Sequence, residues 1–106
     1  MGRVYEAPFE DISVTVVQDL FEVLVASDSL VRLLALDLSQ RSKTATELLR
    51  LTVRRVTGAP TSGSGGGTIT PTPVSPGDAA FGGVVERNNT TRLTAGTAVK
   101  LYDKDW

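Results

Sequence analysis

The chain has 106 residues, a net charge of −1, and neither cysteine nor histidine. This length and an apolar content of 41% predict one domain over residues 1–106 with a modest core. The balanced charge argues against nucleic-acid or acidic-membrane binding, and the lack of cysteine excludes disulfides and thiolate sites. With the commonest general base also missing, we predict no enzyme, no catalytic residue, no cofactor and no metal site.

The N-terminus is not typical of a secretory signal. No apolar stretch of signal-peptide length precedes Glu6 and Glu10. Longer apolar runs are interrupted by Glu22, Arg32 and Asp37, so no segment is predicted to span a membrane.

The first third of the chain has a strand pattern. A short apolar start at residues 4–5 ends before Pro8. Residues 12–17 alternate with period two, which predicts a strand, and residues 20–26 predict a second strand or its bent continuation. Residues 27–29, Ser-Asp-Ser, are typical of a turn because their short polar side chains bond to nearby backbone.

Two segments fit both a strand and a helix. Residues 30–40 alternate like a strand but also carry a helical stripe of leucines, and the strand is favoured. Residues 44–47 match a capping box that would open a helix, whereas residues 49–53 alternate cleanly as a strand. On the strand interpretation, pointing Val56 inward requires a β-bulge at residues 54–55.

Residues 58–78, which we name the arm, differ from the rest in composition. Residues 58–77 contain no charged residue but hold six of the ten glycines and four of the five prolines. The first half is typical of a flexible linker and the second of an extended, polyproline-like path. We therefore expect the arm to extend from the sheet and not to pack as part of it.

Beyond the arm, residues 81–86 predict a short strand, residues 87–90 a turn and residues 98–102 another strand. No closing strand follows before Trp106, so the sheet is expected to be completed either by a C-terminal part of the domain outside this sequence or by a neighbouring chain.

Three motifs are better explained by structure than by chemistry. The glycine run at residues 63–67 has no lysine after it, so it is a linker and not a phosphate loop. The two glycosylation sequons at residues 88–91 are more typical of a turn. Asp103 and Asp105 supply too few oxygens for a calcium site and fit a solvated strand end.

Basic and aromatic residues suggest contact with a partner. Arg54 and Arg55 lie in the one basic concentration, which could bind phosphate or an acidic partner surface, although a solvated sheet face is favoured. Trp106 and Tyr102 could anchor an interface or lie at the edge of the core.

Three stretches together resemble a group of small structural proteins of tailed phages and prophages. The stretches are GRVYEAPFEDISVTVVQDLFEVLVASDSLVRLLALDLSQ, ELLRLTVRRVTG and TSGSGGGTITPTPVSPGDAAFGGVVERNNTT. The most specific feature is the fixed order of TSGSGGG, TPTP, PGD and NNTT. The resemblance covers essentially the whole chain.

The resemblance implies an antiparallel β-sandwich, jelly-roll-like, with the arm reaching over neighbouring subunits. It implies a capsid decoration or cement protein in the phage head, made in the host cytoplasm, with the major capsid protein as partner and a trimer as the favoured homo-oligomer. Many weak contacts would then act together through symmetry. The residues expected to bind partners are Thr68, Ile69, Pro71, Pro73, Val74, Arg54, Arg55 and Trp106.

Two other functions stay open. A neck, tail or fibre component would use the same small sandwich. A carbohydrate-binding module on the virion surface would use exposed aromatic residues, for which Tyr5, Tyr102 and Trp106 are the candidates.

Overall fold

The computed structural model describes residues 2–10, 14, 16–39 and 50–105. Within these ranges the chain forms seven β-strands and no helix. The strands are β1 (Tyr5–Glu6), β2 (Asp19–Leu24), β3 (Arg50–Thr57), β4 (Gly67–Ile69), β5 (Thr72–Pro73), β6 (Val84–Asn89) and β7 (Thr97–Asp105). Every pairing between them is antiparallel. The predicted all-β, sandwich-like fold is confirmed, and the jelly-roll topology stays a prediction.

The chain divides into two compact units. Unit 1 contains Met1–Val31 and Ser62–Thr94, and unit 2 contains Arg32–Thr61 and Ala95–Trp106. We describe each unit by itself, and a single domain over residues 1–106 stays a prediction.

Unit 1 is built around β6. This strand pairs with β2 on one side and β4 on the other, and β1 and β5 form a separate two-stranded sheet. Val85, at the middle of the three-stranded sheet, lies opposite Val23 on β2 and Ile69 on β4. Val85 is 3% exposed and Ile69 is 9% exposed, and they are the two buried apolar residues in the described part of the chain. Cross-strand β-branched pairs of this kind are what stabilises a small sheet.

Aromatic pairs add to the packing of unit 1. Phe9 stacks on Phe21 of β2, with ring centroids 5.6 Å apart. Tyr5 of β1 meets Phe81 edge-on at 5.3 Å. Both are favourable arrangements for aromatic rings. They join the N-terminal residues to the remainder of unit 1.

Unit 2 contains a two-stranded ribbon of β3 and β7. The register shifts between Val53 and Arg54, because Val53 lies opposite Tyr102 whereas Arg54 lies opposite Lys100. The irregularity therefore lies where a bulge is predicted, but the unpaired residue is Leu101 on β7 and not a residue of β3. The alternation of β3 alone could not reveal an extra residue on its partner.

The expectation that the arm does not pack is wrong. Residues of the arm form β4 against β6 and β5 against β1. Ser64 and Thr91 also form a bridge with two backbone hydrogen bonds of 3.0 Å. Pro73 has no backbone N–H to donate. It fits in β5 because the N–H of the next residue, Val74, bonds to the Val4 carbonyl at 2.9 Å. Composition alone suggested a linker, since it says nothing about where backbone groups find partners.

The glycines at positions 63, 65, 66 and 67 can pack closely because glycine has no side chain. A Cβ on Gly66 would lie 2.0 Å from the Arg87 carbonyl oxygen, and one on Gly63 would lie 2.5 Å from that of Thr91. Gly65 has φ +86°, a conformation that side chains disfavour. The run is a close backbone contact with the end of β6, and not a flexible linker.

Other predictions differ in outcome. The turn at residues 27–29 is confirmed, with Asp28 at φ 57° and the Ser29 N–H bonded to the Ala26 carbonyl at 3.2 Å. Residues 30–39 form neither the strand nor the helix predicted for them. The turn predicted at residues 87–90 is wrong for its first three residues, which belong to β6.

The remaining strand predictions are met in part. Residues 50–56 and 98–102 lie in β3 and β7, and the strand predicted at residues 20–26 runs from Asp19 to Leu24. The strand predicted at residues 12–17 lies partly outside the described residues, as does the capping box at residues 44–47. The described residues 14, 16 and 17 are not in a strand.

Replacing Gly66 with alanine tests the close contact. We expect Gly66→Ala to lower the free energy of unfolding by roughly 2 kcal/mol or more, because the new methyl group overlaps the Arg87 carbonyl. Gly82→Ala is the matched control, since nothing lies within 4 Å of its Cβ position. Thermal or urea unfolding measures both. Equal stability of the two variants would contradict the contact.

Candidate functional site

The most organised group of polar side chains lies on the three-stranded sheet of unit 1. Glu22 of β2 and Glu86 of β6 are directly opposite each other across the strand pair. Asn89 lies on the same strand as Glu86, and Ser62 and Gly63 come from the beginning of the arm region. We name these five residues the latch.

Asn89 connects the two carboxylates. Its side-chain Nδ2 donates to Glu22 Oε2 at 3.1 Å and to Glu86 Oε2 at 2.7 Å. The amide has two N–H hydrogens, so each carboxylate receives one. Asn89 is only 2% exposed, which makes these bonds stronger than they would be in water.

The other donors come from the arm. The Ser62 hydroxyl lies 2.6 Å from Glu22 Oε1 and 3.2 Å from Glu86 Oε2, and the Gly63 N–H donates to Glu22 Oε2 at 3.1 Å. The hydroxyl has one hydrogen, so its donation goes to one carboxylate at a time. Among the ion pairs formed by described residues, none involves Glu22 or Glu86.

The arrangement acts as a latch. Two like charges on adjacent strands would repel each other if nothing lay between them. Here neutral donors from Asn89, Ser62 and Gly63 serve both carboxylates and at the same time fix the arm to the sheet. Sequence reasoning missed this pair, because Glu22 and Glu86 meet only through the register of β2 and β6.

A shallow cavity adjoins the latch. It has a volume of about 190 Å³ and is lined by residues 63–68 together with Glu86 and Asn89. The one acid–base side chain among these lining residues is that of Glu86. The carboxylates already accept bonds from the protein, and in the described ranges no group of three or more acidic, histidine or cysteine side chains could hold a metal ion.

The predicted partner residues of the arm have different surroundings. Ile69 contributes to the core, so its side chain is not available for a partner. Val74 is 57% exposed and Thr68 is exposed, whereas Pro71 and Pro73 are half-buried. The structure thus brings Thr68 and Val74 to the surface and takes Ile69 inside.

The basic residues lie on β3. Arg54 and Arg55 are exposed, and none of the ion pairs between described residues includes them. Arg50 is different, because its guanidinium donates to both carboxylate oxygens of Asp103, at 2.8 Å through Nε. The predicted contact residue Trp106 lies outside the described residues.

The Arg50–Asp103 pair shifts two pKa values. Hydrogen bonding and charge attraction from Arg50, with a further hydrogen bond from Lys100, hold the pKa of Asp103 well below its ordinary value. The hydrogen bonds to Asp103 and the attraction of its charge also raise the pKa of Arg50. Arg50 is thereby occupied by its own chain, which argues against it as an open phosphate site.

The aromatic candidates for sugar binding are partly occupied as well. The Tyr5 hydroxyl donates to the Ala79 carbonyl at 2.8 Å and its ring meets Phe81. Tyr102 is 49% exposed on β7 of the other unit. The described residues therefore offer Tyr102 alone as an open ring.

Comparison with protein-family models, with curated proteins and with solved structures finds no match. No helix among the described residues is both long and apolar enough to cross a membrane.

Substituting Asn89 tests the latch. Asn89→Asp keeps the size but replaces a donor with a third carboxylate, so we expect the free energy of unfolding to fall by roughly 2–4 kcal/mol at pH 7. Repulsion raises the folded-state pKa of the introduced carboxyl above its unfolded value of about 4, so the deficit should shrink as pH falls through that folded value. Urea unfolding at several pH values measures it.

Asn88→Asp is the matched control for that experiment. Asn88 is on the same strand and half-buried, but its Oδ1 accepts from Gln18, and a carboxylate keeps that acceptor. Its φ of 55° suits aspartate as well. We expect a loss below roughly 1 kcal/mol. Equal losses at the two positions would contradict the latch.

Asp103→Asn tests the surface pair. A carboxylate whose folded-state pKa is lowered stabilises the protein above its unfolded pKa and loses that effect as the pH falls below it. We therefore expect Asp103→Asn to lower Tm at pH 7, and the difference from the parent to shrink below about pH 4. Asp105→Asn, which removes a weaker attraction for Arg50, should change Tm less. A difference in Tm that is constant from pH 7 to pH 3 would refute this.

Proposed function

We propose that this protein is a structural subunit of a phage virion, acting as a decoration or cement protein through non-covalent contacts. The observation that carries the proposal is that exposed apolar side chains outnumber buried ones among the described residues. The described residues bury Ile69 and Val85, but they leave seventeen large apolar side chains exposed. Scattered exposed leucines are normal, whereas a surplus of this size over the core favours contact with other chains.

Some of the exposed apolar residues belong to unit 2, at residues 33–36 and on β7. Leu33 is 58% exposed and Leu34 is 65% exposed. On β7, where all nine residues are exposed, Leu101 is 60% exposed. These side chains, with Thr68 and Val74 of the arm and Arg54 and Arg55 of β3, form the surfaces that we assign to partner contact.

The polar groups favour a contact role over chemistry. Glu22 and Glu86 bond to Asn89, Ser62 and Gly63, and Arg50 bonds to Asp103. These polar groups bond within their own chain and fix its structure, which is the role expected of them in a contact protein. The major capsid protein is the partner that we propose, with further copies of this chain in a homo-oligomer, for which a trimer is favoured.

Replacing both leucines tests the proposal. We expect Leu33→Ser with Leu34→Ser to weaken attachment to virions roughly tenfold or more, because each exposed leucine would lose transfer free energy on burial. Stability should change by less than roughly 0.5 kcal/mol per residue, since both side chains are exposed. Arg32→Ser, at an exposed neighbour, is the control and should bind like the parent. Co-sedimentation with virions measures attachment.

Cryo-electron microscopy of the same virions locates the protein. Density at symmetry-related positions on the shell would support decoration. Density only at the neck or tail would move the role there, and parent-like attachment of the double leucine variant would refute the apolar contact.

A further inference from the structure

The N-terminal residues are held to unit 1 by the smallest sheet in the structure. β1 and β5 have two residues each, and among the described strands each pairs only with the other. The bond from the Val74 N–H to the Val4 carbonyl extends the pair by one step. We name this pairing of residues 4–6 with residues 72–74 the clasp. A two-stranded ladder this short has little stability of its own.

The hydrogen bond, the ion pair and the ring contact made by side chains of residues 2–6 go to one short stretch. Tyr5 bonds to the Ala79 carbonyl and packs against Phe81, and Arg3 lies 4.0 Å from Asp78. Together with β5, these partners lie within residues 72–81. A copy of that stretch from another molecule would offer the same contacts, so transferring the N-terminal segment would lose none of them.

Pro8 separates this segment from the next contact. Phe9 stacks on Phe21 of β2 and fixes the chain immediately after the proline. Proline fixes its own φ, and the residue before it, Ala7, prefers an extended backbone. Residues 2–6 are thus a short extended segment whose direction is set by backbone rotation at residues 7–8.

The clasp also has exposed apolar side chains at one end. Val4 is 45% exposed and Val74 is 57% exposed, and their backbones are hydrogen-bonded. Within one molecule about half of each of these two valines stays exposed. A second clasp brought alongside would bury both valines. This burial would stabilise the paired form relative to the single copy.

We propose that the clasp is exchanged between copies, so that residues 2–6 of one chain pair with β5 of a second chain and the reverse. The inference deepens the proposed function, because it names a second copy as the partner at one contact of the assembly. Exchange replaces each contact within one chain by the same contact between two chains. The equilibrium between the two forms therefore depends on rotation at residues 7–8, burial of the two valines and protein concentration.

Cysteine cross-linking tests the exchange, and the chain has no native cysteine to interfere. Glu6 and Thr72 are exposed and lie directly opposite each other in the clasp. Such pairs have Cα atoms about 5.5 Å apart, within the range that a disulfide spans. One chain would carry Glu6→Cys, and a second chain with an affinity tag would carry Thr72→Cys. The two are mixed, oxidised and separated by non-reducing electrophoresis.

We expect a covalent heterodimer between the tagged and untagged chains. The variant that carries both cysteines should also form covalent dimers at concentrations where sedimentation shows association. The control variant, Thr57→Cys with Thr97→Cys across β3 and β7, should cross-link within single chains only. These positions are also exposed and directly opposite.

Cross-links confined to single chains in an associated sample would overturn the exchange, and so would the absence of any cross-link in the clasp. These outcomes are independent of the virion experiments. If the exchange fails but attachment to virions persists, the proposed function stands without it. If attachment fails but the heterodimer forms, the exchange stands as a property of the chain.

Discussion

The close approach of the glycine run at residues 63–67 to strand β6 is the contact on which unit 1 depends. A Cβ would overlap backbone at Gly66 and at Gly63, so no other residue type fits these positions without movement of β6. The approach lets β4 pair with β6 and so places Ile69 beside Val85. It also brings the Gly63 N–H to Glu22. Core, latch and sheet order all follow from one backbone contact.

The sequence predicted the strands whose side chains alternate and missed the features set by distant partners. In β3, Leu51, Val53 and Val56 lie half-buried between exposed arginines, and this local pattern made the strand visible. The glycine run had no apolar side chain to produce a pattern, so composition suggested a linker. Its partners at residues 87–91 lie twenty or more positions away, which no local signal encodes.

Residues 30–39 show the opposite failure. Their leucines alternate well enough to predict a strand, but no described strand pairs with them and their side chains are mostly exposed. Alternation is a preference for a half-buried surface and needs a neighbouring strand to become a sheet. The Glu22–Glu86 pair was invisible for a related reason, since each glutamate taken alone is an ordinary polar position on its strand.

The distribution of bonded polar groups and exposed apolar groups supports the contact role proposed for this chain. The carboxylates of unit 1 bond to Asn89 and to the arm, and the arginine at the start of β3 bonds to Asp103. Many of the exposed side chains are apolar: Leu34, Leu101 and Val74 are each more than half exposed. Apolar contact is non-directional and scales with the area buried, so a single copy gains little from it. Repetition by symmetry multiplies that small gain, because each contact after the first forms at high effective concentration. The exposed apolar side chains therefore support the proposal of assembly in many copies over the binding of a single small molecule.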